Sequence, residues 1–324
     1  MSKHDPIEQA LNKLAALKSA PADTDLPREL RGFLRSRSNL VVAKAAKIAG
    51  ERRLAELLPE LVTAYHKLMA DPARLDKRCA ALTEIVAALY AMDYSEPEVY
   101  LKGIRHVQME GSFGPPIDSA AQLRGLSAQG LVRTRFPYAL AEAVTLLVDP
   151  EPPARIGAVR ALAANGGEAG ALALRLKVLV GDRVPEVLAE CFSGLLALPS
   201  ASSIEFVAGY VDDEDPSVAE GAILALGASR STKAIDSLKD KWQRTRRGPL
   251  KKVLLLALST SRSEDALQFL LGLLETEPIS AASEILAALA SQRPTQSIRD
   301  FIHSALTRRD DAALLAAFPS EFPT

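Results

Sequence analysis

The chain has 324 residues, of which 48% are hydrophobic and only 5% aromatic. Alanine and leucine dominate the hydrophobic residues, which favours closely packed helices over a β-rich core. The 39 basic residues balance 40 acidic ones, so the formal net charge is only −1. This balance excludes the large positive charge that drives general nucleic-acid binding, although it is compatible with a local basic patch.

The N-terminal residues 1–27 predict a capping helix followed by a linker. Asp5-Pro6 resembles a helix cap, and four apolar residues share one face of the helix after it: Ile7, Leu11, Leu14 and Leu17. This helix either covers the end of a helical stack or acts as a free docking peptide. No signal-peptide pattern begins the chain, and no uncharged run approaches the ~20 residues of a membrane span. We therefore expect a soluble cytoplasmic protein.

Residues 28–136 predict irregular helix pairs, as is common where terminal repeats cap a stack. Three pairs can be drawn: 28–36 with 40–49, 54–69 with 77–92, and 98–107 with 117–131. A loop with low helix propensity, residues 110–118, interrupts the last pair. It would either present Phe113 on a binding lip or simply turn the chain between two helices.

Residues 137–324 predict regular helix pairs that end in a C-terminal cap. The second helix of each pair carries a small residue followed by leucine, and these dipeptides recur every 31 to 33 residues: Ala161-Leu162, Gly194-Leu195, Ala225-Leu226, Ala257-Leu258 and Ala288-Leu289. The ends of the first helices keep the same period, and proline or glycine separates the two helices of each pair. The whole chain is therefore predicted to be one continuous all-α solenoid, a right-handed α-α superhelix of roughly eight to nine helix pairs.

The second helices carry a family resemblance. Asp215-Pro216-Ser217-Val218, followed by Ala222 and Ala225-Leu226-Gly227, resembles the second-helix signature of bacterial HEAT repeats. Residues 153–163 resemble it as well, with Arg155 at a position where the family often has arginine. The resemblance implies a HEAT/armadillo-like scaffold that binds proteins along its inner surface. It also implies two alternatives, because the class contains DNA glycosylases and lyase-related proteins.

Catalytic and metal-binding motifs are missing from the sequence. It has no His-Glu-x-x-His, paired Cys-x-x-Cys, phosphate loop or Gly-x-Ser-x-Gly elbow. The four histidines lie far apart in the chain, and the cysteines Cys79 and Cys191 are separated by 112 positions within apolar patterns. We expect buried reduced thiols, no disulfide, no metal, no cofactor and no enzymatic activity.

A basic cluster around Trp242 offers one alternative function. It comprises Lys239, Lys241, Arg244, Arg246, Arg247, Lys251 and Lys252. Taken alone, the cluster predicts nucleic-acid contact with Trp242 available for stacking. Acidic turns at 212–215 and at 275–277 lie about one repeat to either side, and in a stacked array they would neutralise it. The sequence favours neutralisation along one edge, so we do not expect nucleic acid as a partner.

An apolar stripe on the second helices is the candidate partner surface. The positions one and four before each small residue are expected to face away from the core: Gly157 and Arg160, Glu190 and Ser193, Gly221 and Leu224, Val253 and Leu256, Glu284 and Ala287. The apolar members would form a groove for a protein partner or a homodimer contact: Leu224, Val253, Leu256 and Ala287. The opposing interpretation is that tight curvature buries them within the chain. We expect a non-catalytic interaction scaffold, with Arg160, Trp242 and Phe113 as further contact residues.

Overall fold

The computed structural model describes residues 6–19, 21, 25–198, 201–246 and 248–322. Asp5, the Pro199-Ser200 break and Arg247 lie outside the described residues. The chain divides into two compact units, Met1–Lys177 and Val178–Thr324, here called unit 1 and unit 2. Each unit is described by itself.

Unit 1 consists of helices joined by short turns, with one small hairpin. Its helices are α1 Pro6–Lys18, α2 Leu26–Leu34, α3 Asn39–Glu51, α4 Leu58–Met69, α5 Pro72–Leu75, α6 Ala80–Ala91, α7 Pro97–Ile104, α8 Ala121–Arg133, α9 Ala139–Leu146 and α10 Pro152–Asn165. Single 3-10 turns lie at Ala55–Leu57 and Lys77–Cys79. Helix α11, Gly167–Val180, begins in unit 1 and contains the boundary between the units.

Unit 2 is built from helices of similar length. They are α12 Pro185–Ala197, α13 Ala201–Ala208, α14 Pro216–Ser229, α15 Thr232–Arg244, α16 Pro249–Thr260, α17 Glu264–Thr276, α18 Ile279–Ser291, α19 Gln296–Arg309 and α20 Ala312–Glu321. Within the unit, each second helix packs against the next one, in the order α12, α14, α16, α18 and α20. Each first helix likewise packs against the next, in the order α13, α15, α17 and α19.

The fold class is all-α and HEAT-like, which confirms the prediction from the sequence. Eight contacting helix pairs can be recognised among the described residues: α2 with α3, α4 with α6, α7 with α8, α9 with α10, α13 with α14, α15 with α16, α17 with α18, and α19 with α20. The predicted turns at 149–150, 181–182, 212–216, 248–249 and 277–278 all separate a first from a second helix. The division into segments 1–27, 28–136 and 137–324 and the handedness of the superhelix stay predictions.

The starts of the second helices follow from local chemistry. Proline occupies the first helical position of α10, α12, α14 and α16, where its missing N–H would have had no partner inside the helix. Asp215 also caps α14, because its Oδ1 accepts a hydrogen bond of 2.8 Å from Ser217 N. The same local signals produce the regular period of the sequence.

One element was missed by the sequence patterns. Met109–Glu110 (β1) and Ile117–Asp118 (β2) form an antiparallel ribbon, with Met109 opposite Asp118 and Glu110 opposite Ile117. The helix predicted over 117–131 therefore begins later, at Ala121. Two-residue strands are too short to show the alternation by which strands are recognised.

The position four before the small residue was misassigned in α10 and α14, whereas Glu284, the corresponding residue of α18, is exposed as predicted. Gly157 and Gly221 were expected to face outward, but both are buried. A Cβ at Gly221 would lie 2.8 Å from Ala189 Cβ in α12, and one at Gly157 would overlap the backbone of Gly125 in α8. In α10 and α14 this position therefore mediates the contact with the preceding second helix, where the missing side chain lets the two helices approach closely.

Helix α1 packs against α3 in unit 1. Leu14 and Leu17 are buried, whereas Ile7 is 41% exposed. The apolar face predicted for this helix is thus used mainly in its second half.

Candidate functional surfaces

A short hairpin in unit 1 presents an apolar surface. It runs from the end of α7 to the start of α8 and includes β1 and β2. Four of its large apolar side chains are exposed, and we call them the hairpin surface: Val107, Met109, Phe113 and Ile117. Phe113, at the tip, is fully exposed. The sequence predicted Phe113 as a contact residue but missed the other three.

The tip of the hairpin is closed by a serine. Ser112 Oγ donates a hydrogen bond of 2.7 Å to Pro115 O and accepts one of 3.0 Å from Gly114 N. The segment thus turns the chain, as one of the two interpretations held, and also projects Phe113 away from the helices. The hairpin agrees with the turn interpretation, and the binding lip stays a prediction.

A buried arginine fixes the base of the hairpin. The guanidinium of Arg124 in α8 contacts Asp118 Oδ2 at 2.6 Å. It also donates two hydrogen bonds, of 2.8 and 2.9 Å, to the carboxylate of Asp149. Its Nη1 also donates to His106 O at 2.9 Å. The side chain of Arg124 is only 3% exposed, so this cation joins the hairpin, α8 and the turn before α10 within a nearly dry environment.

A second polar network lies under the other strand. Gln108 Nε2 donates to Asp76 O at 2.9 Å and to Glu110 Oε1 at 2.6 Å. Glu110 Oε1 also accepts from Arg78 N and from Ser119 Oγ. Both strands of the hairpin are therefore held from beneath by buried polar groups with specific partners.

The carboxylates of these networks are stabilised in their charged form. Burial opposes ionisation of Asp118, but the N–H groups of Ala120 and Gln108 and the Arg124 guanidinium outweigh it and lower its pKa below the usual value. The pKa of Glu110 is likewise lowered, because hydrogen bonds from Gln108, Arg78 and Ser119 outweigh burial. Both groups are consequently anionic at neutral pH and keep the hairpin anchored.

The stripe predicted on the second helices is accessible. We call Leu224, Val253, Leu256 and Ala287 the second-helix stripe. Leu256 is 47% exposed, Ala287 is exposed, and Leu224 and Val253 are half-buried. Burial of the stripe by tight curvature, one of the two interpretations, is therefore wrong for Leu256 and Ala287. Arg160 is also exposed, as expected.

Trp242 is placed differently from the prediction. It was expected to be available for stacking or partner contact, but it is only 4% exposed. Lys251 Nζ lies 4.4 Å from the centre of its ring and covers it. The indole therefore belongs to the packing between α15 and α16, and no base can stack on it in this structure.

The basic cluster is largely paired with acids. Asp212 binds Lys241 at 2.5 Å and Arg244 at 3.2 Å, and Glu277 lies 3.5 Å from Lys251. Glu275, expected to face the same cluster, instead pairs with Arg308 at 2.5 Å in the following repeat. Pairing along this edge is thus observed for Lys241, Arg244 and Lys251, whereas Glu275 has a different partner.

The cysteines are both buried and form no disulfide. Cys79 does not lie inside an α-helix, as the apolar pattern suggested, but ends the 3-10 turn directly before α6, with a φ of 50°. Burial, and then the charge of Asp76, raise the pKa of its thiol to about 12. Among the described residues, no group of three or more His, Cys, Asp or Glu side chains is placed to hold a metal ion.

Comparison with known proteins identifies the repeat. Residues 172–259 match the family described as HEAT repeats. No curated protein matches the chain. Among solved structures, human deoxyhypusine hydroxylase in complex with glycerol is similar, with 19% identity over 80% of this chain and 92% of that chain and a TM-score of 0.31. That TM-score supports no inference about activity.

Residues 172–259 are therefore similar to HEAT repeats, and the described helices form an all-α, HEAT-like repeat fold. Within the described part of the chain, no helix is long and apolar enough to cross a membrane.

Proposed function

We propose that this protein is a non-catalytic scaffold that binds a protein partner through the hairpin surface. The observation that carries the proposal is an apolar tip on a rigid base. Phe113 projects fully into solvent, while the strands beneath it are tied to buried Arg124 and Gln108. Fixing such a segment before binding reduces the entropy lost when a partner docks.

The chemistry of the hairpin surface suits a protein partner. Aromatic and methionine side chains are enriched at protein interfaces, and a few such anchors supply most of the binding energy. Four large apolar side chains within residues 107–117 are more than isolated surface apolar residues would explain. HEAT repeats elsewhere in the chain fit the same role, since stacked helices offer extended binding surfaces.

Two further expectations accompany this proposal. The two buried free thiols support a reducing compartment such as the cytoplasm. The second-helix stripe would provide additional contact area for the partner, or for a second copy of the chain, but Leu256 is its single large side chain with substantial exposure.

The proposal is tested by photo-crosslinking in the cells that naturally contain the protein. A photoreactive phenylalanine analogue is placed at Phe113, and in a matched control at Leu40, another exposed apolar residue of unit 1. We expect a discrete crosslinked protein from position 113 and none of the same mass from position 40. Equal, diffuse crosslinking from both positions would contradict the proposal.

Two charge substitutions then test whether the partner binds the hairpin surface or the second-helix stripe. Phe113→Asp should abolish capture of the crosslinked partner at an unchanged melting temperature, because the side chain has no contacts to lose. Leu256→Glu should weaken capture less. If Leu256→Glu abolishes capture and Phe113→Asp does not, the scaffold role stands and the hairpin is not its surface.

A further inference from the structure

A cleft in unit 2 lies between two loops that connect successive repeats. One loop follows α16 and the other follows α18, and the cleft has a volume of about 540 Å³. Its walls are apolar, with side chains from α17 and α19 that include Leu267, Ile298 and the half-exposed Phe301. Its lining shares no residue with the second-helix stripe or with the hairpin surface.

Two arginines line this cleft from equivalent positions. Arg262 and Arg293 follow the last turns of α16 and α18, with φ values of 54° and 49°. Glycine is the usual residue here, because a side chain is disfavoured in the left-handed region. Arg53, Arg135 and Arg230 take the same conformation after α3, α8 and α14, so arginine recurs at this position of the second helices.

Neither arginine is satisfied within the protein. Both are exposed, and within the described ranges neither guanidinium has a hydrogen bond, ion pair or ring contact. A cation near a helix C-terminus does interact favourably with the helix dipole. That interaction is available at every second helix that ends in arginine, so what distinguishes Arg262 and Arg293 is that both line the cleft.

We propose that this cleft binds an acidic peptide segment of a partner protein that places a large apolar side chain beside carboxylates. The apolar side chain would lie against Phe301 and Ile298, and the carboxylates would pair with Arg262 and Arg293. Charge complementarity supports this occupant, because the lining contains two arginines against one acidic side chain, Glu264. This site is independent of the hairpin surface and does not rest on it.

A nucleic acid fits the cleft less well. Phosphate binding draws on many cations along a track, whereas the described lining offers two guanidiniums and an opposing carboxylate. Apolar walls between charged residues are instead typical of peptide recognition, in which a buried anchor supplies affinity and rim charges select the ligand.

The test uses a random peptide library displayed on phage and the full-length protein. Selected peptides are expected to carry Asp or Glu next to Phe, Leu or Trp. Their affinities are then measured by fluorescence anisotropy for wild type and for an Arg262→Gly/Arg293→Gly double variant. We expect the dissociation constant to rise about tenfold or more in the double variant, because two charge-assisted hydrogen-bonding partners are removed.

Arg230→Gly is the matched control. Arg230 has the same left-handed conformation after α14, with a φ of 56°, and is exposed, but it does not line the cleft. Its replacement should leave peptide binding unchanged. All the glycine variants should melt at or above the wild-type temperature, since glycine adopts this conformation without strain.

Three results would overturn the proposal. The selection could yield no acidic apolar peptides, or peptides that bind the double variant as tightly as wild type. Alternatively, a fluorescent single-stranded oligonucleotide could bind in a manner that requires Arg262 and Arg293 while the peptides do not, which would assign the cleft to nucleic acid.

Discussion

Arg124 is the residue on which the candidate surface of unit 1 depends most. Its guanidinium lies among Asp118, Asp149 and His106 O, so it connects both ends of the hairpin with the turn before α10. A buried ion pair adds little net stability compared with apolar packing, but breaking one is costly because the remaining charge stays buried. The arrangement therefore serves mainly to fix the position of the hairpin.

Replacing Arg124 should loosen the hairpin and destabilise the fold. We expect Arg124→Met to lower the free energy of unfolding by about 3–5 kcal/mol, because two largely buried carboxylates lose their cation. Chemical denaturation measures this change, and faster amide exchange over residues 107–118 locates it. Lys47→Met is the control, since the Lys47–Glu84 pair is 3.6 Å apart and exposed, and it should change stability by at most ~1 kcal/mol. Equal effects of the two variants would disprove the anchoring role of Arg124.

The carboxylates of the networks predict a loss of stability in acid. Asp118 and Glu110 have pKa values lowered by folding, so they bind fewer protons in the native than in the unfolded state. Their contribution is present above the unfolded pKa values of about 4 and is lost as the pH falls through the lower folded values. Urea denaturation at several pH values should show this decline. The decline should be shallower in Asp118→Asn and unaltered in Glu56→Gln, which changes an exposed carboxylate.

At the scale of elements, glycine and alanine set the distance between successive second helices. In unit 1, Gly50 faces Ala88, and Gly125 faces Gly157. In unit 2, Gly221 faces Ala189, and Gly227 faces Ala257. Because these contacts are between backbones, one added methyl group has to move a whole helix. Close helix packing of this kind explains why alanine is so abundant and aromatic residues so rare.

Gly157→Ala should therefore destabilise the protein even though alanine favours helix formation. The new methyl group would overlap the backbone of Gly125, and we expect a loss of about 1–3 kcal/mol from overpacking. Gly32→Ala in α2 is the matched variant, because a Cβ there meets nothing within 4 Å. It should stabilise the protein by about 0.5–1 kcal/mol. Thermal or urea denaturation measures both, and the same sign for the two variants would contradict the helix contact.

The apolar run of α16 shows that the sequence pattern of one helix does not determine which of its faces is buried. Residues 253–258 have hardly any polar side, which led to two opposite interpretations. Leu254 is fully buried and Leu256 is 47% exposed, although both are leucines two positions apart. Hydrophobicity did not distinguish them, because the neighbouring helices α14 and α18 determine which face of α16 is covered.

At the scale of the whole molecule, charge is balanced overall and locally. The net charge is −1, and three residues of the basic cluster, Lys241, Arg244 and Lys251, pair with Asp212 or Glu277. Counterion release from DNA needs cations that are free to replace those counterions. The charge distribution thus disfavours the nucleic-acid alternative suggested by the sequence.

We accordingly expect no stable complex with duplex DNA at physiological salt. An electrophoretic mobility shift assay with random-sequence duplex tests this at low and at physiological ionic strength, with Asp212→Asn as a comparison that releases Lys241 and Arg244. Weak binding at low salt that increases in the variant would agree with the pairing. A shift by the wild-type protein that persists at physiological salt would restore nucleic acid as a partner.

The sequence by itself determined the helices, their period and the fold class. Proline at the starts of second helices, apolar spacing and the recurrent small residue before leucine are local signals, and helix formation is largely a local process. Only the tertiary structure determined which face of each helix is buried and which residues it contacts. Trp242 is buried beneath Lys251, and Gly157 packs against another helix. Arg124 forms ion pairs with Asp118 and Asp149. Arg262 and Arg293 lie beside a cleft. These outcomes depend on neighbours supplied by distant residues, which no local pattern specifies.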